Sequence, residues 1–282
     1  MSEAKAVLVT GASSGIGRAC ALDLDRRGFR VFAGVRKEAD GESLAGAASS
    51  RLQPLILDIT DRASIDSAVT VPGEALFGLV NNAGISVAGP LEYLPLEDIR
   101  HQFEVNVFGH LAVTQAFLPQ LRAARGRIVF VSSVAGLVRS TPFLSPYAAS
   151  KHAIESFADS LRVELRPSGV HVSLIEPGSV ATPIWEKGIS AAGALRERLA
   201  PEAEERYGAA AEKGTKIAAA TGKRGIAPER VAEAVAEALT AAHPKPRYPV
   251  GIEVKVQRAA FALLSDRLGD RLMAKVLGLT AP

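Results

Sequence analysis

The stretch Ala6-Val7-Leu8-Val9-Thr10-Gly11-Ala12-Ser13-Ser14-Gly15-Ile16-Gly17 decides the fold. Its first part, AVLVT at 6–10, is a short apolar run rich in β-branched residues, as in a buried strand. A glycine-rich turn follows and opens a helical pattern over 15–28. Gly11, Gly15 and Gly17 allow a tight turn and a close backbone approach to a pyrophosphate, which the free N–H groups and dipole of a helix N-terminus stabilise. Ser13 and Ile16 belong to the same loop. The pattern G-x-S-x-G at Gly11–Gly15 also reads as a nucleophile elbow with Ser13 as nucleophile. An elbow of that kind needs an acid and then a histidine downstream, and no such partners are evident, so the dinucleotide loop is the favoured reading.

Outward from this loop, strand-like runs recur at 30–35, 54–59, 76–81, 127–132 and 171–176. Helical patterns lie at about 15–28, 61–71, 95–124, 145–168 and 228–242. Alternation of this kind predicts βαβ units and a parallel sheet. The strands are near-continuously apolar, as expected when helices cover both faces. The fold class is therefore α/β, a doubly wound Rossmann-type sheet with ligands at the carboxyl ends of its strands. Residues 1–251 are expected to form the oxidoreductase domain. Within it, 183–226 break the rhythm as either a substrate lid or a poorly ordered loop. Residues 252–282 form an amphipathic helical tail, with Leu268, Leu272, Val276 and Leu279 as its apolar face. That face is expected to pack on the enzyme's own body near the substrate mouth; a subunit partner or weak peripheral contact with an anionic membrane are the alternatives.

Composition sets limits. The 282 residues are 48% hydrophobic and 22% charged, which excludes a disordered chain. One cysteine, Cys20, excludes a disulfide framework and cysteine-rich zinc sites and suits a reducing, cytoplasmic setting. No signal peptide is read at the start, and no apolar run reaches the roughly 18 residues of a membrane span. The five histidines lack metal-site spacing, so no catalytic metal is expected. The formal charge is +3, but residues 243–282 hold seven basic side chains against three acidic ones, which leaves −1 for the first 242. A nucleic-acid groove needs a basic field across the binding domain, and this one lacks it.

Two further patterns carry chemistry. After the second strand the sequence reads Gly34-Val35-Arg36-Lys37, with no acid until Glu38. An acid there would bind the ribose 2′-OH of NAD, whereas Arg36 suits the 2′-phosphate of NADP, so NADP is preferred to NAD. Tyr147 and Lys151 stand four apart on a predicted helix, hence on one face. An ammonium about 4 Å from a phenol, at an effective dielectric near 20, is worth roughly 4 kcal/mol, or about three pKa units. That would bring Tyr147 into range as a general acid/base. Upstream, Ser132-Ser133 end one strand and Asn81-Asn82-Ala83-Gly84 end another. Asn106 sits inside the long helix, where asparagine is a mediocre helix former, so a kink or a polar role is expected.

Together, TGxxxGxG at 10–17, NNAG at 81–84, Asn106, Ser133 and YxxxK at 147–151 resemble the short-chain dehydrogenase/reductases over about residues 4–250. The resemblance implies seven parallel strands, the last near Arg247–Val250, and a homodimer or homotetramer packed through the helices at 95–124 and 145–168. By the same resemblance Tyr147 is the acid/base and Lys151 binds the nicotinamide ribose. Ser133 positions the substrate oxygen, and Asn106 supports a water relay. Asp58 and Ile59 meet the adenine, Asn82 and Ala83 the adenosine ribose, and Val180 and Thr182 the carboxamide. The VRK after strand two, the insertion and the tail look like the retinol and 17β-hydroxysteroid dehydrogenase branch. That implies an NADP(H)-dependent enzyme for a bulky apolar alcohol or ketone, steroid-, retinoid- or acyl-like. The alternatives are a reductase of smaller oxo-acids or 3-oxoacyl groups, a dinucleotide-binding redox sensor without turnover, and a hydrolase using Ser13.

Overall fold

A computed structural model describes residues 4–139 and 141–279. Seven strands, β1 (Ala6–Val9), β2 (Arg30–Val35), β3 (Leu52–Ile56), β4 (Gly78–Asn81), β5 (Arg127–Val131), β6 (His171–Pro177) and β7 (Arg247–Val250), form one parallel sheet in the order β3-β2-β1-β4-β5-β6-β7. Registers such as Val9 opposite both Ala33 and Val80 fix neighbouring strands at a common height. The order reverses between β1 and β4, and this switch point opens a crevice at their carboxyl ends.

Alternate strand residues serve two separate cores. Val7, Val9, Val31, Ala33, Val129 and Ile175 pack beneath α1 (Gly15–Arg26) and α9 (Pro228–Thr240). Leu8, Phe32, Leu79, Ile128, Phe130 and Leu174 pack on the other face beneath α3 (Arg62–Val69), α5 (His110–Ala123) and α6 (Ser145–Glu164). Burial on both faces is why the strands read as unbroken apolar runs.

Several expectations are corrected. β3 ends at Ile56 rather than 59. It is an edge strand, where Pro54 is tolerated, so Asp58 and Ile59 fall in the loop beyond it. α2 (Glu38–Ala45) gave no sequence signal because it buries only Gly41 and Leu44. The long helix expected over 95–124 is α4 (Leu96–Phe103) and α5 joined by a π-helical stretch at Glu104–Gly109, with Asn106 inside it. Residues 183–226 hold two helices, α7 (Ile184–Arg196) and α8 (Pro201–Lys223). The tail is two helices, α10 (Ile252–Leu263) and α11 (Asp266–Leu277). Its expected apolar face is rotated. Leu268, Leu272 and Val276 are each close to half exposed, while Gly269 and Leu277 are buried. The side toward the body is instead that of Gly269, Met273 and Leu277, and Asp266 and Asp270 reach Arg139 at its edge while staying largely exposed. Leu279 lies past the helix end, partly buried.

Candidate active site

A continuous cleft of about 1190 Å³ runs across the carboxyl ends of the strands. Its walls bring together every site residue expected from the sequence except Asn106. At its centre β1 and β4 are tied together. The Thr10 hydroxyl accepts hydrogen bonds from the backbone N–H groups of Asn82 (3.0 Å) and Ala83 (3.1 Å). The Asn82 amide in turn donates to the Thr10 carbonyl at 2.9 Å. Gly17 lies so close beneath this turn that a Cβ there would stand 2.2 Å from the Gly11 carbonyl oxygen. Gly11 and Gly15 have φ of +65° and +54°, the left-handed region that favours glycine. The result is a cradle of backbone at the N-terminus of α1, the shape and polarity that a pyrophosphate needs.

At one end of the cleft Arg36 and Lys37 stand exposed beyond β2, with Asp40 and Asp58 nearby. Burial raises the Asp58 carboxyl, but hydrogen bonds from the Thr60 N–H and hydroxyl, with the charge of Arg36, hold it below the usual carboxylate range.

At the centre lie Ser133, Tyr147 and Lys151. Ser133 accepts a hydrogen bond from the Ala135 N–H at 3.2 Å, starting a short turn at Val134–Gly136. A Cβ on Gly136 would stand 3.0 Å from the backbone of Lys151, so the turn packs closely on α6. This packing sets the Ser133 hydroxyl in a hydrogen bond with the Tyr147 phenol. Ser132 points the other way, toward Glu155. Lys151 donates to the Val131 carbonyl at 2.8 Å, and its ammonium stands 5.8 Å from the centre of the Tyr147 ring.

The expected lowering of the Tyr147 pKa is absent in the protein alone. Burial pushes the phenol up, and the Ser133 hydrogen bond offsets only part of that. Burial also pulls Lys151 down to about 8, while the Glu155 charge pulls it back up. An ammonium turned toward a carbonyl and only partly charged above neutrality cannot depress its neighbour strongly.

Asn106 does not reach Lys151 through its side chain. Its amide donates to the Ile85 carbonyl (3.1 Å) and the Ser150 hydroxyl (3.2 Å), and its carbonyl oxygen accepts from the Ile85 N–H at 2.9 Å. It pins the segment after β4 to α6, and the π-helical stretch is what carries it there.

Two features escaped the sequence reading. Glu155, one turn beyond Lys151 and buried, pairs with Arg247 of β7 at 3.1 Å; Arg247 also holds Asp159 at 2.7 Å and Glu176 at 3.0 Å. The Lys151-x-x-x-Glu155 spacing was the available signal. His110, fully buried, meets the Ala83 carbonyl at 2.6 Å through Nε2. Burial and the nearby Lys151 charge lower its pKa to about 3. The ring is thus neutral, and a neutral ring meeting a carbonyl must carry its proton on Nε2.

The far end of the cleft is apolar. Pro142, Phe143, Trp185, Ile189, Leu195 and Met273 are among its lining residues, drawn from the loop before α6, from α7 and from α11. Trp185 is anchored by its indole N–H to the Val180 carbonyl at 2.8 Å. Tyr207 of α8 donates to Glu92 at 2.8 Å, tying α8 across the cleft to the segment before α4.

The short chain dehydrogenase family profile matches residues 5–192. The chain is a short-chain dehydrogenase. It is 38% identical over 280 residues to the NADPH-dependent 3-dehydrocapnine reductase of Ornithobacterium rhinotracheale, covering 96% of each chain. It is also 38% identical over 285 residues to human retinol dehydrogenase 5, covering 96% of this chain and 88% of the relative. Among solved structures, a short chain dehydrogenase from Burkholderia cenocepacia in complex with NADP superposes with a TM-score of 0.73 at 28% identity, covering 99% of both chains. The seven-stranded parallel sheet and the likeness to the retinol dehydrogenase branch are thus established, and the chain is an NAD(P)-dependent oxidoreductase.

Proposed function

We propose that this short-chain dehydrogenase is an NADP(H)-dependent oxidoreductase acting at the alcohol or ketone carbon of a bulky apolar substrate. The observation that carries the reading is the division of one cleft into a polar glycine cradle and an apolar chamber, with Tyr147 and Ser133 at their junction. In the cradle Gly11, Ser13, Gly15, Ile16 and Gly17 would hold the pyrophosphate, Asp58 and Ile59 the adenine, and Asn82, Ala83 and Gly84 the adenosine ribose. Arg36 would meet the 2′-phosphate, and Val180 and Thr182 the carboxamide. When bound, the dinucleotide supplies or accepts the hydride.

The chain's own residues do the rest. Ser133 orients the substrate oxygen. Tyr147 gives that oxygen a proton in reduction and takes it back in oxidation. Lys151 binds the nicotinamide ribose, and its positive charge favours the phenolate whenever Tyr147 has lost its proton. Asn106 acts as a positioning residue for the segment after β4. α7 and α8 serve as the lid that excludes water.

The assembly is proposed to be a homodimer or homotetramer through α5, α6 and their flanks, where Phe108, Phe157 and Val163 leave large apolar side chains exposed. A cytoplasmic setting accords with the single buried Cys20 and with the finding that no described helix is long and apolar enough to cross a membrane.

The test is NADPH oxidation across ketones of graded apolar size. Turnover should favour large apolar ketones and vanish in Tyr147→Phe, with NADPH affinity within about twofold of wild type, because the ring keeps its packing. Full activity in Tyr147→Phe, or a preference for small oxo-acids, would reject the reading.

A further inference from the structure

The C-terminal helix pair leaves one face uncovered. On α10, Val254 is buried and Gln257 lines the cleft, whereas Ile252, Val256 and Leu263 are 82%, 61% and 88% exposed. These three fall on one stripe of the helix, and Ala259 and Ala260 between them are exposed as well. On α11, Gly269 and Leu277 face the body. Leu268 and Leu272 face outward beside exposed Arg267, Arg271 and Lys275. Exposed Lys255 flanks the α10 stripe.

The charges are sorted by side. Asp266 and Asp270 pair with Arg139, which also donates to the Leu264 carbonyl at 3.1 Å. Glu253 lies against Gly178 and Gly251 at the start of the tail. The outward face therefore combines an apolar stripe with Lys255, Arg267, Arg271 and Lys275, while the exposed acids Asp266 and Asp270 stand at its edge, paired with Arg139.

A second copy packed on this face about a two-fold axis would set four cations against the same four. A lipid surface carrying negative headgroups meets both features at once. Aliphatic side chains enter the boundary between headgroups and acyl chains, and lysine and arginine beside them meet the phosphates. We propose that the α10–α11 face docks reversibly on an anionic lipid surface. Met273, Val276 and Leu277 of α11 line the apolar end of the cleft, so docking sets the cleft beside the lipid. The docking argument rests on the surface alone and stands apart from the substrate assignment.

The test is flotation of the full-length protein with phosphatidylcholine vesicles and with the same vesicles carrying phosphatidylglycerol. Association is expected only with the anionic vesicles, falling steeply as salt rises. In the combined variant Arg267→Gln, Arg271→Gln, Lys275→Gln it should weaken roughly a hundredfold, from about tenfold or less per cation. Leu263→Asp should also release the protein, and because that side chain is exposed, its thermal unfolding should match wild type. Equal binding to both vesicle types, no binding to either, or unchanged binding in the triple variant would overturn the proposal. So would a fall in sedimenting mass on Leu263→Asp, which would assign the face to a second copy of the chain.

Discussion

Lys151 is held between opposing influences. Burial lowers its proton affinity to a pKa of about 8, and Glu155 raises it. Removing the Glu155 charge while keeping its shape, as in Glu155→Gln, leaves burial less opposed, so the pKa of Lys151 must fall further. In ketone reduction the alkaline fall in kcat/KM is therefore expected at lower pH in the variant, with KM for NADPH changed less than kcat. An alkaline limb that does not move would show Glu155 to be purely structural. His110 supplies a second pH effect. Its folded pKa of about 3 lies below the ordinary 6.5 of the unfolded chain, so between those values only the unfolded state takes up the proton and stability falls as pH drops. The loss approaches roughly 4–5 kcal/mol by pH 3. His110→Gln keeps an N–H donor but cannot titrate; its acid unfolding curve should be shallower than wild type through this window. At this scale the glycine loop and the Tyr147–Lys151 pair were legible because each is a local pattern. The Glu155–Arg247 pair was not, since 92 residues separate its members and only the fold makes them neighbours.

Elements were legible where burial imposed a period. β2 matched its expected span residue for residue, and α6 and α9 differed only at their C-terminal ends. α7 and α8 gave weak signals because they line a cleft and bury little, and α11 was recognised as amphipathic but oriented wrongly, because the side of Gly269, Met273 and Leu277 meets the body through tertiary contacts that no local pattern records. The contact between α7 and α8 gives a test at this scale. A Cβ on Gly222 of α8 would stand 2.7 Å from Cγ of the Trp185 ring. Helix propensity alone would make Gly222→Ala stabilising by about 0.8–1.0 kcal/mol. The collision should instead displace α8 and widen the apolar chamber. KM for large ketones is expected to rise about tenfold, with NADPH affinity changed less, because Gly222 meets Trp185 and touches none of the glycines of the cradle. A lower KM or a raised Tm in Gly222→Ala would show that the ring moves aside freely.

For the molecule as a whole, the cleft crosses the switch point of the sheet and draws walls from both of its halves, β1 to β3 and β4 to β6. A ligand seated there should bind only the folded chain and raise its stability by mass action, about 2.7 kcal/mol at a hundredfold excess over Kd. For a chain of this size each kcal/mol raises Tm by about 2–4 °C, so the shift should reach roughly 5–10 °C. The size of that shift ranks the cofactors. NADPH and NADH differ by the 2′-phosphate, and Arg36, next to Lys37, is the exposed cation that acts on Asp58 at the end of β2. Loss of a charge-assisted contact costs about 1.5–3 kcal/mol. At equal concentration NADPH should therefore raise Tm by roughly 3–12 °C more than NADH does in wild type. The advantage should disappear in Arg36→Ala, while the NADH shift stays the same, because the cradle around Gly11 and Gly17 is untouched. Differential scanning calorimetry of both proteins with both cofactors decides it. If the two cofactors shift wild type equally, Arg36 does not select the phosphate. If Arg36→Ala lowers both shifts alike, the side chain supports the cleft as a whole and does not discriminate between the two cofactors.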